Sequence, residues 1–452
     1  MRDIDALLAT YGETTPRYTS YPTAPHFAAD AGPDLVADLV EATRLHQRAS
    51  VYLHIPYCDR LCWFCGCHTK QTRRYEPVRA YVDTLVREIE MFGERTGFAP
   101  SLSALHLGGG SPSLLKSEDM VRIGTAIREV FRVDGDAEIA VEIDPSDVSE
   151  DTLDGLQALG LTRASIGVQD FDPDVQKAIN RPQSFEITAA VAGSLRERTS
   201  CTLNIDALYG LPRQSTGRLL RTIDQVIDLA PERVALFGYA HVPWAKTHQR
   251  MIADADLPGR DERLRQSRLA ARRLTGAGFE AIGFDHFAMP HDTMAAAARD
   301  GQLHRNFQGY TADDSTVLIG FGASAISRYP GGYIQNIVPT NTYRAAVEKG
   351  EKTASRGYAM TDDDRLRSEA IERLLCDFRL DFDQLEKRFG PEAAVLFGEV
   401  KAAVAADRFA LAQIDGSVLT IADDARSFAR IVASWLDAYY RPQMTARYSQ
   451  AV

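Results

Sequence analysis

Residues 50–70 read SVYLHIPYCDRLCWFCGCHTK and join a predicted strand to a loop rich in cysteine. Within it, Val51–Ile55 is a short run of apolar and branched residues that predicts a buried strand. Three cysteines follow directly, in the pattern Cys58-x3-Cys62-x2-Cys65. In a sheet of parallel strands, the loops at the carboxyl ends of the strands build the functional site. A loop with three closely spaced thiols at that position is therefore the first candidate for a ligand-binding site.

Similar apolar runs recur along the first two thirds of the chain, separated by segments of helical period. We expect strands at Ser50–Ile55, Leu102–Leu107, Glu138–Ile143, Arg163–Val168, Thr202–Leu208, Arg233–Tyr239 and Phe279–Phe284. The helix predicted over 77–95 has six apolar residues on one face: Val78, Tyr81, Val82, Leu85, Ile89 and Phe92. The helix predicted over 149–159 begins at an N-cap serine, Ser149, and ends at Gly160. This alternation predicts an α/β fold whose six or seven units suit a complete or partial (β/α) barrel.

The pattern changes after about residue 300. Residues 362–391 and 424–440 have helical period, and Asp415-Gly416 between two short apolar runs predicts a small β-hairpin. We therefore expect an N-terminal arm over 1–45, a barrel domain over 46–300, and a mostly helical C-terminal domain over 301–452 that carries the hairpin.

The composition is that of an ordinary globular protein, with 45% hydrophobic and 25% charged residues in 452. A net charge of −11 argues against nucleic acid or an anionic membrane as the main partner. The start of the chain does not have the pattern of a signal peptide, and no apolar stretch is long enough to predict a membrane span. We expect a cytoplasmic protein.

The cysteine loop is suited to an iron–sulfur cluster. Three thiolates can bind three irons of a [4Fe–4S] cluster and leave the fourth iron open to an outside ligand. Zinc is one alternative, with Cys67 or His68 as the fourth ligand, although structural zinc sites normally use two separated ligand pairs. A ferredoxin-like electron carrier with Cys67 as fourth ligand is another. The remaining cysteines, Cys201 and Cys376, lie in apolar surroundings and are expected to be buried small hydrophobes.

Polar or glycine residues also follow the next four predicted strands. They are the run 108–112 (GGGSP), Glu142, the pair Gln169-Asp170, and Asp206. A glycine run lets backbone groups approach a ligand closely, and each of the polar residues taken alone is an ordinary helix cap. Four consecutive strands that each end in such a residue indicate one shared site at the carboxyl edge of the sheet.

The cysteine pattern after the first strand resembles that of the radical S-adenosylmethionine (SAM) enzymes. Nearly the whole chain further resembles the oxygen-independent coproporphyrinogen III oxidases. The residues that carry this resemblance are Pro16–Ala24 (PRYTSYPTA), Tyr52–Lys70, Leu105–Pro112, Gly167–Phe171 (GVQDF), Asn204–Gln214 (NIDALYGLPRQ), Tyr239–Pro243 (YAHVP), Asp285–Ala288 and Leu303–Tyr310 (LHRNFQGY). The resemblance implies a partial (β/α) barrel of the radical SAM type, with an N-terminal arm and a mostly helical C-terminal domain.

The resemblance also implies ligands. The [4Fe–4S] cluster would be bound by Cys58, Cys62 and Cys65, with Cys67 as an extra cysteine that is not a ligand. One SAM would be bound by Tyr52, Gly109, Glu142 and Ile326. A second SAM would be bound by Phe64, Gly110, Ser111, Gln169, Arg181, Asp206 and Ala240. Two positions depart from some members of the family, which have threonine at Ser111 and asparagine at Gly238.

The implied reaction is the oxidative decarboxylation, without oxygen, of two propionates of coproporphyrinogen III to vinyl groups, giving protoporphyrinogen IX through a 5′-deoxyadenosyl radical from SAM. The implied partners are this substrate and a small electron donor such as flavodoxin or ferredoxin, and the chain is expected to act as a monomer. The alternatives are a haem chaperone-like relative without oxidase activity and a non-enzymatic iron–sulfur or zinc scaffold. Tyr18 and Tyr21 are expected to cover a flat macrocycle, and Arg17 and Arg305 are candidates for contact with its carboxylates.

Overall fold

The computed structural model describes residues 6–7, 10 and 15–440. Within these residues the strands are β1 (Ala28–Ala29), β2 (Arg48–Ile55), β3 (Tyr57–Cys58), β4 (Lys70–Gln71), β5 (Ser101–Gly109), β6 (Arg132–Ile143), β7 (Arg163–Gln169), β8 (Thr202–Tyr209), β9 (Arg233–Gly238), β10 (Glu280–Ile282), β11 (His286–Ala288), β12 (His304–Asn306), β13 (Gly309–Thr311), β14 (Leu318–Phe321), β15 (Ile326–Tyr329), β16 (Gly332–Asn336), β17 (Ala354–Ala359), β18 (Arg379–Asp381), β19 (Ala412–Asp415) and β20 (Val418–Ile421).

The helices alternate with the strands in the first part of the chain and dominate the last part. They are α1 (Gly32–His46), α2 (Glu76–Thr96), α3 (Ser117–Val130), α4 (Glu150–Leu159), α5 (Pro173–Ala178), α6 (Phe185–Thr199), α7 (Thr216–Asp228), α8 (Arg260–Gly276), α9 (Thr293–Arg299), α10 (Thr340–Glu348), α11 (Asp362–Asp377), α12 (Phe382–Phe389), α13 (Glu392–Ala406) and α14 (Ala429–Ala433). Short 3-10 helices cover Ala24–His26, Pro112–Leu114, Thr247–Met251, Asp254–Asp256, Asp423–Phe428 and Ser434–Leu436.

The main sheet is a partial (β/α) barrel with antiparallel extensions at both edges. Its strand order is β1-β17-β16-β15-β14-β2-β5-β6-β7-β8-β9-β11-β10. The seven strands from β14 to β9 are parallel. One cavity is lined by residues of β2, β9, β11 and β14, so the sheet curves enough to bring its two ends around a common interior. The predicted α/β barrel class is thus confirmed.

Six of the seven predicted strands belong to the parallel series, but Phe279–Phe284 does not. Its strand, β10, pairs antiparallel with β11, because a short turn joins the two and brings the chain straight back. The seventh parallel strand is β14, which pairs with β2 at the opposite side of the series. The expected division at residue 300 stays a prediction, but β14–β17 lie beyond it and are hydrogen-bonded into the main sheet.

The predicted helix faces and caps are confirmed. All six apolar residues predicted to share one face of α2 are buried in the main core. In α4 the side chain of Ser149 accepts a hydrogen bond from the backbone N–H of Thr152, and Gly160 ends the helix with φ at 90°. Both caps satisfy backbone groups that the helix leaves unpaired.

The C-terminal part forms a second hydrophobic core, and the arm is packed into it. The predicted hairpin is β19–β20, where Asp415 pairs with Val418, so the two turn residues are Gly416 and Ser417. Tyr18 and Tyr21 are 3% and 2% exposed within this core. The expectation that their rings cover a ligand is therefore wrong: Tyr18 donates a hydrogen bond to Asp437 instead, at 2.9 Å. Among the described residues, no helix is both long and apolar enough to cross a membrane.

Candidate active site at the cysteine loop

Two cavities lie end to end inside the barrel. The first, here called the cysteine-end cavity, has a volume of about 260 Å³. The predicted residues that line it are Cys58, Cys62, Phe64, Cys65, Gly109, Gly110, Ser111, Glu142, Gln169, Arg181 and Asp206. The second, the floor cavity, has a volume of about 180 Å³ and is lined mainly by residues earlier in the same strands. The two share Glu142, Ser165, Asp206 and Phe237.

The three predicted cluster ligands form one wall of the cysteine-end cavity, beside Arg181. One guanidinium nitrogen of Arg181, Nη1, lies 3.6 Å from Cys62 Sγ and 3.0 Å from the Asp144 carboxylate. Burial raises the pKa of Cys58 to about 12, while a hydrogen bond from Cys67 lowers the pKa of Cys65 to about 7. Thiol donors with a cation beside them fit an anionic iron–sulfur cluster. Among the described residues, no three His, Cys, Asp or Glu side chains converge on a single metal ion, as a mononuclear zinc site requires.

The cysteine loop is held in place by the segment that follows β9. Lys246 Nζ donates to the carbonyl oxygen of Cys67 at 3.1 Å, and His248 Nε2 donates to that of Cys65 at 2.7 Å. Gln249 Nε2 donates to the carbonyl oxygen of Phe64 at 2.9 Å. The sequence carried no signal for these three residues, because nothing in a histidine or a lysine on a loop shows which distant carbonyl it will meet.

His54 forms a second support that the sequence analysis did not single out. Its Nε2 donates to the carbonyl oxygen of His68 at 2.9 Å, and therefore its Nδ1 accepts the hydroxyl hydrogen of Tyr52 at 3.0 Å. Burial lowers the pKa of His54, which keeps the ring neutral for these two roles. One residue at the end of β2 thus connects Tyr52 with the far end of the cysteine loop.

The neighbours of Gly109 and Gly110 leave no room for side chains at these two positions. A Cβ at Gly109 would lie 2.4 Å from the His54 ring, and the φ of Gly109 is +109°. A Cβ at Gly110 would lie 2.5 Å from the carbonyl oxygen of Tyr57. The backbone of this run therefore forms the cavity wall itself, as expected of a loop that presents backbone groups to a ligand.

The carboxylates of Glu142 and Asp206 line the cavity without a lysine or arginine partner among the described residues. Glu142 accepts from the backbone N–H of Gly109 at 3.0 Å and lies 3.4 Å from His106. Asp206 accepts from Asn204 at 2.8 Å and from Ser165 at 3.1 Å. Burial and the nearby charge of Glu142 raise the pKa of Asp206. Two uncompensated acids in one cavity favour a cationic ligand, and SAM carries both an ammonium and a sulfonium group.

Asp170, which also follows a strand, points away from the cavity. Its carboxylate accepts from Gln214, Thr222 and the backbone of Asp172. It is fully buried, and burial raises its pKa to about 6. This residue fastens the loop after β7 rather than facing a ligand.

Three predicted SAM-binding residues do not line the cysteine-end cavity. Tyr52 lies on β2 and stacks on His106 with ring centroids 5.8 Å apart. The carbonyl oxygen of Ala240 accepts from Gln249 at 3.2 Å. Ile326 begins β15, where it pairs with Gln335. Their assignment to SAM stays a prediction.

Comparison with known proteins gives full-length matches. A family profile described as the Radical SAM superfamily matches residues 52–223. Coproporphyrinogen III oxidase, anaerobic 1, of Cereibacter sphaeroides is 45% identical over 445 residues, which is 98% of each chain. The oxygen-independent coproporphyrinogen III oxidase of Escherichia coli is 39% identical over 442 residues, covering 96% of this chain and 95% of the relative. A solved structure, coproporphyrinogen III oxidase from Escherichia coli described as a radical SAM enzyme, matches with a TM-score of 0.88 and 36% identity over 97% of this chain and 99% of its own.

Proposed function

We propose roles for the residues of the site, starting from the family of the protein. This chain belongs to the oxygen-independent coproporphyrinogen III oxidases of the radical SAM superfamily. It is an oxidoreductase of haem biosynthesis that decarboxylates two propionates of coproporphyrinogen III to vinyl groups and yields protoporphyrinogen IX without oxygen. Its cofactors are a [4Fe–4S] cluster and SAM. Together these supply, when bound, a 5′-deoxyadenosyl radical able to remove hydrogen from an unactivated propionate carbon.

We assign the cluster to Cys58, Cys62 and Cys65. Support comes from their common wall in the cysteine-end cavity and from the guanidinium of Arg181 beside Cys62. Cys67 is assigned a supporting part, because its backbone N–H is directed at the sulfur of Cys65 at 3.4 Å. His248 and Lys246 hold the backbone of the same loop, so the ligands keep their spacing before the cluster is inserted.

Two SAM molecules are assigned to the residues that the resemblance names. The first set is Tyr52, Gly109, Glu142 and Ile326, and the second is Phe64, Gly110, Ser111, Gln169, Arg181, Asp206 and Ala240. The carboxylates of Glu142 and Asp206 attract the cationic groups, and the glycine backbone offers N–H and C=O groups to the amino-acid end. The walls of the barrel exclude water from the reacting carbon, which protects a radical from side reactions.

We further propose that a small electron donor of the flavodoxin or ferredoxin kind docks beside the cysteine loop. Residues 60–75 contain four basic and no acidic residues in a chain whose net charge is −11. Lys70, Arg73 and Arg74 of this segment are exposed, so they suit an acidic protein surface. Arg74→Glu should raise the KM for such a donor, whereas a small chemical reductant should still drive turnover at the wild-type rate.

The chain acts as a monomer in this proposal, since all residues of the site come from one copy. A cytoplasmic location is proposed as well, because the described cysteines are all free thiols, which a reducing compartment preserves.

The observation that carries the function is the convergence of three cysteines, a glycine run and two uncompensated acids on one cavity. Anaerobic reconstitution with iron and sulfide, followed by reduction and addition of SAM and coproporphyrinogen III, tests it. We expect protoporphyrinogen IX and released CO₂, with a monovinyl intermediate at early times. A protein that binds haem under these conditions but forms no vinyl product would instead be a haem-handling relative.

A further inference from the structure

Four arginines lie close together at the carboxyl end of β9: one from the arm, one from the barrel and two from the chain beyond residue 300. They are Arg17 of the arm, Arg263 of α8, Arg305 of β12 and Arg430 of α14, and together they are here called the arginine cluster. Like charges repel at close range, so four guanidinium groups are not brought together without a reason. The chemistry proposed for the cysteine-end cavity does not use any of them.

The backbone contacts show how close these side chains are. Arg17 Nη2 donates to the carbonyl oxygen of Gly238 at 3.3 Å, and Arg263 Nη2 donates to that of the next residue, Tyr239, at 3.0 Å. Arg305 Nε donates to the carbonyl oxygen of Tyr18 at 3.3 Å, directly beside Arg17. Gly238 follows Phe237, which lines both cavities, so the cluster lies next to the barrel interior.

Arg430 lies close enough to the other arginines to interact with their charges. Its pKa is lowered to about 10 by burial and by the charges of Arg17 and Arg305, while Tyr209 and Asp285 act in the opposite direction. Burial likewise lowers the pKa of Arg17, yet that side chain keeps an exposed surface. The Arg17 guanidinium therefore lies among protein atoms and can still be reached by a ligand from solvent.

One member has donor capacity that the protein does not use. Arg305 is 8% exposed, and its Nη1 has no hydrogen-bond partner among the described residues. Its guanidinium lies 4.9 Å from the ring centre of Phe284 and 4.7 Å from that of Tyr310. A buried guanidinium nitrogen without an acceptor costs free energy unless an anion completes it. Of the two rings, Phe284 is only half-buried, so it offers some apolar surface at the same place.

We propose that the arginine cluster binds carboxylates of the substrate, namely propionates that are held away from the reacting carbon. This inference rests on the proposed function, which makes the substrate a macrocycle with four propionates. Guanidinium groups bind carboxylates in a bidentate manner, and the half-buried ring of Phe284 offers apolar surface beside Arg305. The arm contributes Arg17 and the C-terminal domain contributes Arg430, so the substrate pocket is complete only when both are docked on the barrel.

The test measures binding rather than turnover, using the reconstituted full-length protein under anaerobic conditions. The probes are coproporphyrin III and its tetramethyl ester, in which the carboxylates are blocked, and both are followed by porphyrin fluorescence. We expect the wild type to bind the free acid at least about tenfold more tightly than the ester, since the ester cannot form charge-assisted hydrogen bonds with the guanidinium groups. Arg17→Gln and Arg430→Gln should each weaken binding of the acid by about tenfold and leave binding of the ester unchanged.

The matched control is Arg426→Gln, four residues before Arg430. Arg426 is exposed and paired with Asp423, so the acid-to-ester ratio should stay at the wild-type value. Arg430→Lys should keep part of the preference, because it keeps the charge but loses the bidentate geometry. If one glutamine variant does not fold, the other still decides the question.

Two results would overturn the inference: an unchanged acid-to-ester ratio in a folded glutamine variant, or an equal loss of affinity for both probes. The second would mean that the arginines only support the fold. Failure of the proposed function would be recognised separately, as a wild type that binds coproporphyrin but forms no vinyl product.

Discussion

The cysteine-end cavity and the floor cavity are built on the same strands, but the acids that line them differ in whether they have a cationic partner. At the floor, Glu138 lies between Arg163 at 2.7 Å and Arg233 at 3.5 Å. Arg233 also pairs with Asp292 at 2.8 Å. Where the two cavities meet, by contrast, Glu142 and Asp206, which line both, have no lysine or arginine within ion-pair distance among the described residues.

This difference separates groups that stabilise the fold from groups that bind a ligand. A buried carboxylate between two guanidinium groups is satisfied by the protein itself, so removing one partner costs stability. Two neighbouring acids without a cation lower the stability of the ligand-free protein. A cationic ligand that binds beside them offsets this loss. Changes at the floor should therefore alter unfolding, and changes at the cysteine end should alter cofactor binding and turnover.

The largest effect is expected from Cys62→Ala. On the proposed ligand assignment, this change should remove most of the bound iron and lower turnover by more than about a thousandfold, because the uncatalysed reaction provides no comparable rate. Iron and sulfide analysis together with product assay checks this. The control is Cys201→Ala, a buried cysteine of the main core, which should keep both iron and activity. A full four-iron cluster in Cys62→Ala would contradict the ligand assignment.

Arg233→Met tests the floor. The change leaves Asp292 buried without its cation, so we expect the free energy of unfolding to fall by about 3 kcal/mol while SAM affinity stays within twofold of the wild type. Denaturant unfolding and equilibrium SAM binding are the two measurements. Arg87→Met is the control: it breaks an exposed pair with Glu94 and should leave the free energy of unfolding at the wild-type value. A folded Arg233→Met protein of wild-type stability would remove the contrast between the cavities.

Gly109→Ala tests the wall of the cysteine-end cavity. The new Cβ would meet the His54 ring at 2.4 Å and force a left-handed φ on alanine, a strain of about 2 kcal/mol. The loop relieves this strain by moving, so SAM, which needs the original backbone position, should bind roughly 30-fold more weakly. Because His54 also holds the cysteine loop through His68, iron content should fall as well. In Gly66→Ala, within the same loop, the Cβ enters open space, and SAM affinity should be unchanged. Normal SAM binding by Gly109→Ala would mean that the run is only a turn.

The smallest effect is expected from Asp206→Asn. Removing one of the two uncompensated acids should weaken SAM binding by about tenfold, yet leave the ligand-free protein equally or more stable. The pKa of Asp206 is raised by burial and by Glu142, so the wild type loses stability as the pH rises through that pKa. The stabilisation by asparagine should thus be greater at pH 8 than at pH 4.

Glu138→Gln is the counterpart of Asp206→Asn at the floor. Although burial acts to raise its pKa, Arg163 and Arg233 hold the pKa of Glu138 below its ordinary value, so its contribution to stability is present at neutral pH and lost on acidification. The glutamine variant should be less stable than the wild type at pH 7 and approach it at low pH. If both variants shifted stability in the same direction at pH 8, the distinction between the two cavities would be wrong.

The features that the sequence predicted correctly are local ones. The buried face of α2, the Ser149 cap and the cysteine loop after β2 follow from residue period, capping chemistry and spacing over a few residues. Most of the predicted site residues line one cavity for a related reason: the carboxyl ends of parallel strands meet at one edge of the sheet, so residues in equivalent positions converge.

Local patterns in the sequence therefore predicted the first six parallel strands, the position of the ligand loops and the kinds of ligand that these loops suit. Three contacts are visible only in the folded chain: β14 pairs with β2, His248 holds the cysteine loop, and Arg305 meets the arm 287 residues away in sequence. Such contacts join segments that are far apart along the chain. Their formation depends on how the whole sheet curves and on how two separate cores dock, and no local pattern of residues contains that information.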